Sequence, residues 1–206
     1  MLFNTLALTS LLIIITLLPR LVNIFPSLLA CMIRWKESVN LEMSVKLSRD
    51  RNVLAAAMII PYCLAIYRSD AYDLEVIERL NEPSGLCATA GVFVTYILLR
   101  QFCAYIIRPK KSRSATYNYA TAASRTFFII LTLLLLATAW VLSFIGTEAD
   151  TIKTAMIWIS AVIYFIFLIR KIQIFASSYN YFTVFLYLCA LEILPTGVLI
   201  TSAIFF

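Results

Sequence analysis

Histidine does not occur in this 206-residue chain. Its absence removes the commonest metal ligand and the usual general base at neutral pH. Charge is scarce as well: 14% of the residues are Asp, Glu, Lys or Arg, where soluble domains carry about 25%. The five cysteines (Cys31, Cys63, Cys87, Cys103, Cys189) include no C-x-x-C pair, which argues against a disulfide framework or a zinc site. All but Cys31 lie inside apolar runs, where cysteine packs as a small hydrophobe. No Walker loop, H-E-x-x-H or G-x-S-x-G motif occurs. Without a nucleophile and base in one constellation, a non-enzymatic chain with no cofactor or metal is expected.

What is present is apolar. Hydrophobic residues make up 62% of the chain and the mean hydropathy is +0.91. They are gathered into blocks long enough to cross a bilayer, which takes about 20 residues each. The expected fold is an all-α polytopic bundle forming one integral membrane domain over residues 1–206. Six spans are predicted, at about 2–18, 52–67, 87–107, 125–145, 152–169 and 181–205. The second is the shortest and is interrupted by Pro61. The first, "MLFNTLALTS", has no basic n-region and no A-x-A site after it, so an uncleaved span is expected.

The basic residues are not evenly shared between the connecting segments. Arg20, Arg34, Lys36, Lys46, Arg49 and Arg51 fall between spans one and two. Arg108, Lys110, Lys111 and Arg113 fall between three and four, and Arg170 and Lys171 between five and six. The alternate segments hold Arg68 and Arg79 among Asp70, Asp73, Glu75, Glu78 and Glu82, then Glu148 and Asp150 with Lys153 at a span start. The positive-inside pattern therefore places the basic segments in the cytoplasm and both termini outside. Trp140 and Trp158 then lie toward the outer interface, with Trp35, Tyr117, Tyr119, Tyr179 and Tyr181 at the inner one, as in an aromatic belt. The net charge of +6 is accounted for by topology and by anionic lipid at the basic loops. No nucleic-acid-binding motif accompanies the basic residues, and nucleic acid is not an expected partner.

Between the spans, Leu21, Ile24, Phe25, Leu28, Leu29, Met32 and Ile33 repeat at helical spacing and end in Arg34, Trp35 and Lys36. An amphipathic helix lying in the cytoplasmic interface is the expected reading; an extension of the first span past Pro19 is the alternative. "VNLEMSVKLS" (39–48) alternates with period two, the signature of a strand. A lone strand has no partner in a helical bundle, so an irregular loop is expected, with an edge awaiting another protein as the other option. Residues 69–83 have the caps and acidic first turn of a short outer helix. "ATYNYATAASRTFF" and "SSYNYFTVFLY" share a YNY before spans four and six, in the manner of repeated helical hairpins.

Two ionisable residues stand well inside apolar runs: Arg100 in "YILLRQFCAYIIRP" and Glu192 in "YLCALEILP". An Asp, Lys or Arg at a span centre costs about 2.5–3.5 kcal/mol on insertion, and such residues face the bundle interior and find a partner. At 1.5 Å per residue, Arg100 lies about 12 Å above the inner boundary and Glu192 about 16 Å. An arginine side chain covers that difference, so the two are expected to pair. Gln101, Tyr96 and Tyr105 add hydrogen-bonding groups to the third span. Pro195 lacks an N–H and deprives the Leu191 carbonyl of its donor, which predicts a kink. Cys189 and Thr196 fall on the face of Glu192 and complete an expected polar node. That node either fixes helix register or serves an ion path or partner contact.

"YLCALEILP" (187–195) resembles the C-terminal signature of a domain-of-unknown-function family of small polytopic inner-membrane proteins from Bacteroidota. The plan of an initial span, a "FPSLLACMIRWKESVN"-like basic segment and then paired spans is also similar. The resemblance implies the inner membrane of a bacterium, a multipass architecture, and a place for Glu192 and Pro195 in the family motif. It implies no activity. Taken together, the expected function is an accessory or assembly subunit of an envelope complex, with a protein partner or a homo-oligomer. A small transporter or channel using Glu192 is the alternative.

The topology is open to a direct test. Reporter fusions after residues 75 and 149 should read external, and fusions after 45, 112 and 175 cytoplasmic; a cytoplasmic signal at 75 would remove the second span or reverse the orientation.

Overall fold

The computed structural model describes residues 2–69, 82–106, 114–177 and 179–198. Among these the chain is all helix, with no strand. Five helices are long and apolar enough to cross a membrane: Thr5–Ile33, Ser84–Cys103, Thr116–Ile145, Ala149–Ala176 and Tyr181–Val198. The outer acidic segment expected over residues 69–83 lies, apart from its ends, outside the described residues, as does the basic loop 107–113.

The first departure from expectation is α1, which runs unbroken from Leu2 to Ile33 through Pro19 and Pro26. No separate interfacial helix follows it. In an apolar run the alternative to a helix is unpaired backbone, so a helix tolerates proline there. At 1.5 Å per residue α1 is about 48 Å long, well beyond a hydrocarbon core of about 30 Å. Its second half is two-sided. Ile24, Leu28 and Cys31 are fully buried, while Val22, Phe25, Leu29 and Ile33 are exposed. Of the apolar spacing read as a membrane-surface face, Ile24 and Leu28, with Leu21 and Met32 beside them, pack against the protein core, and Phe25, Leu29 and Ile33 do not.

The second departure covers residues 35–57. Trp35–Met43 (α2) and Val45–Ala57 (α3) are helices, joined at the extended residue Ser44. The alternation of residues 39–48 therefore marks neither a strand nor a loop. Ser38 and Leu41 are buried three apart on α2, and Arg51, Leu54 and Ala55 on α3. Burial against α1, together with Phe127, Ile130 and Phe167 of the later helices, selects the helical faces over the period-two pattern.

The expected second span is divided. α3 ends at Ala57, Met58 forms a turn, and α4 runs from Ile59 to Arg68. Pro61 explains the position of the break, because it has no N–H for the Ala57 carbonyl and its ring clashes with that group. Neither half is long enough to cross a membrane alone. Yet the pair follows α6 (Ser114–Ile145). Asn52 accepts a hydrogen bond from Arg125 at 2.9 Å, Tyr62 meets Phe128 at 5.2 Å, and Ala65 shares a core cluster with Leu135. The broken helix runs beside α6 and in the same direction.

α5 spans Glu82–Ile106, and α7 spans Ala149–Ala176. The hairpin between α6 and α7 is closed by Gly146 at φ 76°. Gly146 N–H reaches the Ser143 carbonyl at 3.2 Å and Thr147 N–H the Leu142 carbonyl at 3.1 Å, the pattern of a glycine-capped helix end. These two helices pack along each other and carry the main core with α1, α2 and α3. Polar contacts add direction to this packing. Arg170 Nε donates to the Met32 carbonyl at 2.9 Å, near the C-terminus of α1. Buried Arg51 places Nη2 2.6 Å from Glu42 Oε2, and both Arg51 and Arg125 donate to Asn52 Oδ1.

The two faces of α1 should differ under truncation. Leu28→Ala is expected to lower the stability of detergent-purified protein by about 2–5 kcal/mol, while Leu29→Ala, on the exposed side, should cost less than about 1 kcal/mol. Equal losses in an unfolding titration would contradict this placement of the helix.

Candidate functional site

α8 begins at Tyr181 and is regular to Leu188. From Cys189 to Ile193 the helix widens into a π turn, in which the Leu194 N–H reaches back five residues to the Cys189 carbonyl. Pro195 follows at once, and it can serve as donor to neither Ala190 nor Leu191. The missing donor expected at Pro195 is thus accommodated one turn earlier by an extra residue in the helix, a single-turn π-bulge of the kind found often at functional sites. Glu192 lies within this bulge and is buried, with 1% of its surface exposed.

Three helices converge on its carboxylate. Arg100 of α5 donates from Nη2 to Oε1 at 2.6 Å. Lys171 of α7 donates from Nζ to the same oxygen. The second oxygen, Oε2, is buried without a hydrogen-bond partner among the described residues. Aromatic rings enclose the cations: Phe167 lies 5.4 Å from Lys171 Nζ and 5.8 Å from Arg100 Cζ, and Phe175 lies 6.0 Å from Lys171 Nζ. Cation–π attraction of this type is worth about 0.5–2 kcal/mol, with the higher value where water is excluded.

A second polar layer lies about one to two helical turns away. The Tyr164 hydroxyl can donate to the Glu192 carbonyl or to Thr196 Oγ1, each at 3.2 Å, and Tyr96 Oη lies 3.4 Å from Thr196 Oγ1. The spacings explain why the layers form. Tyr96 and Arg100 are four apart, Glu192 and Thr196 four apart, and Tyr164 and Lys171 seven apart, so each pair shares one helical face. The order of the layers makes α5 and α7 run in one direction and α8 in the other.

The residues singled out from sequence divide accordingly. Glu192, Arg100, Thr196 and Tyr96 meet in the node, and Pro195 adjoins the bulge. Cys189 contributes its carbonyl to the π turn, and its thiol is free. Gln101 and Tyr105 are exposed and take no part in the node. Lys171 and Tyr164 are the residues that sequence reading missed. Lys171 belongs to no loop: α7 continues past Ile169 to Ala176 and buries it. The signal was the spacing of Ile163, Phe167, Lys171 and Ile174, one buried face that carries a lysine where another apolar residue is expected.

Among the described residues no group of His, Cys, Asp or Glu is assembled to hold a metal ion. No protein-family profile, curated protein or solved structure matches the chain.

The shared oxygen sets an order of damage. Arg100→Gln or Lys171→Gln leaves one neutral pair and should cost little. Glu192→Gln leaves buried Lys171 beside partly buried Arg100 with no counter-charge and should cost about 3–5 kcal/mol. The double change Arg100→Gln/Glu192→Gln strands Lys171 and should recover little, whereas replacing all three should restore much of the folded yield. Strict additivity in thermal unfolding, within about 0.5 kcal/mol, would show that the three do not act as a unit.

Proposed function

We propose that this chain is a multipass protein of the bacterial inner membrane, acting as a non-enzymatic accessory or assembly subunit of an envelope complex. The observation that carries this reading is the use made of the intramembrane charge. Glu192, Arg100 and Lys171 engage one another across three helices, which favours a device for holding register over one that turns over a substrate. The Lys/Arg asymmetry and the resemblance of residues 187–195 support the inner membrane in this reading. In this reading the broken α3–α4 helix beside α6, with its turn at Met58, serves as a sixth crossing, which leaves both termini on one side of the membrane, the outside by the Lys/Arg count. With five crossings alone the termini would lie on opposite sides. Anionic lipid at the basic cytoplasmic segments belongs to the same reading.

A second reading has its own observation. A π-bulge ahead of a proline, holding a buried carboxylate with one unpartnered oxygen, is the kind of interrupted helix at which transporters bind ions. Co-purification in mild detergent separates the two. A stoichiometric partner that survives size exclusion supports the subunit. A lone, monodisperse oligomer with pH-dependent ion flux in liposomes, lost in Glu192→Gln, would replace it with the transporter.

A further inference from the structure

We propose that Arg125, Asn52 and Arg49, where α3 meets α6, bind the phosphate of an anionic phospholipid of the phosphatidylglycerol class. The site deepens the anionic-lipid part of the reading above and rests on it, with one built contact in place of diffuse attraction. One amide oxygen is the starting point. Asn52 Oδ1 accepts from Arg51 Nη2 and from Arg125 Nη1, each at 2.9 Å, and from Arg51 Nε at 3.3 Å. Two guanidinium groups therefore converge on a neutral group, which orients like charges without cancelling them. Among the described residues Glu42 supplies the carboxylate of this cluster, and it is engaged by Arg51 at 2.6 Å and Ser48 at 3.1 Å. Arg51 is buried and Arg125 is exposed. The surplus positive charge thus lies on the guanidinium that reaches the surface.

The orientation of Asn52 is the second observation. With its oxygen turned to the two arginines, its Nδ2 keeps its N–H donors without an acceptor among the described residues. Asn52 is exposed. So is Arg49, one turn earlier on the same face of α3, and it makes no ion pair among the described residues. What these three side chains leave unused is donors alone. Such a patch suits an oxyanion, and a guanidinium can engage two phosphate oxygens at once.

Depth and surroundings select a lipid over a free phosphate. After Asn52 no charged residue occurs until Arg68, and after Arg125 none until Glu148. Both side chains therefore stand where charged sequence gives way to apolar sequence, the level of a headgroup. From Asn52 the exposed face of α3 continues with Val53 and Ala56 and, past the turn at Met58, with Ile60. A free phosphate leaves that stripe bare, whereas the acyl chain of a phospholipid covers it. The headgroup is selected by charge. Phosphatidylethanolamine brings an ammonium, and the patch has no spare carboxylate for it: Glu42 serves Arg51, and Asp50 lies 3.9 Å from Arg20. An anionic headgroup offsets the surplus and adds no unpaired cation.

The test uses the full chain, stripped of lipid in detergent and titrated with phosphatidylglycerol or phosphatidylethanolamine, with bound lipid counted by native mass spectrometry. One phosphatidylglycerol should bind about tenfold more tightly than phosphatidylethanolamine. Arg125→Gln should remove most of that preference, and Arg49→Gln part of it. Asn52→Asp keeps an oxygen for Arg51 and Arg125, cancels the surplus charge and removes the amide donors. It should lose the preference while its thermal unfolding midpoint stays level or rises, which separates lost binding from lost folding. Full retention of the preference in Arg125→Gln and Asn52→Asp overturns the site. So does an equal loss in Lys110→Gln/Lys111→Gln, which would return the attraction to the basic loop and leave the anionic-lipid reading intact. Displacement of the lipid by inorganic phosphate at constant ionic strength would make free phosphate the occupant and also overturn it. An unaltered chain that binds both lipids equally would remove the site and the anionic-lipid reading together.

Discussion

One carboxylate oxygen, Glu192 Oε1, accepts from a guanidinium on α5 and an ammonium on α7. Apolar packing between helices in a hydrocarbon setting has little directional preference, because lipid tails are as apolar as leucine. A buried charge has a strong one. Leaving any member of the Lys171–Glu192–Arg100 cluster without its counterpart costs several kcal/mol, so sliding α8 against its neighbours is opposed in both directions. The Tyr164–Thr196–Tyr96 layer lies beside the ion cluster and repeats the constraint with neutral groups. Two layers on three helices fix rotation and height together.

A similar device recurs among the earlier helices. Arg51 is enclosed by the core that includes Leu41 and Leu54, and it pairs with Glu42 of α2. Asn52 beside it accepts from Arg125 of α6. The first cluster holds α5, α7 and α8, the second holds α2, α3 and α6, and Arg170 ties α7 to the end of α1. Directional contacts are few, and they lie where helices of different stretches of the chain must agree on register. The core between them, from Ile24 and Leu28 to Phe127 and Phe167, supplies bulk attraction without deciding that register.

The π turn at Cys189–Ile193 shows how a local rule and a tertiary contact combine. Pro195 requires that the helix lose a backbone donor, which is a matter of covalent structure. A straight kinked helix and a bulged one both satisfy that requirement. The bulge rotates Glu192 relative to the rest of α8, and the contacts it gains with Lys171, Arg100 and the Tyr164 hydroxyl favour it. The bulge lies at the acid that α5 and α7 both engage.

What the amino-acid sequence by itself determined was the class and the costly residues. Long apolar runs permit nothing but helices, and a glutamate and an arginine within such runs must be turned inward, so an all-α bundle with Glu192 and Arg100 at its centre was legible. So was the break in the second segment, because proline acts through its own ring and missing N–H. The limits of helices were not. Whether α1 stops at Pro19, whether residues 39–48 alternate as a strand, and whether Lys171 lies in a loop are questions of what covers each face. Local pattern cannot answer them, because the same spacing serves a lipid surface and a protein core. Only the tertiary structure decided them: the helices that bury Ile24, Leu28 and Leu41 extend α1 and fold α2, and the carboxylate that reaches Lys171 draws it inside. Burial and charge pairing are relations between distant segments, and no stretch of sequence contains both partners.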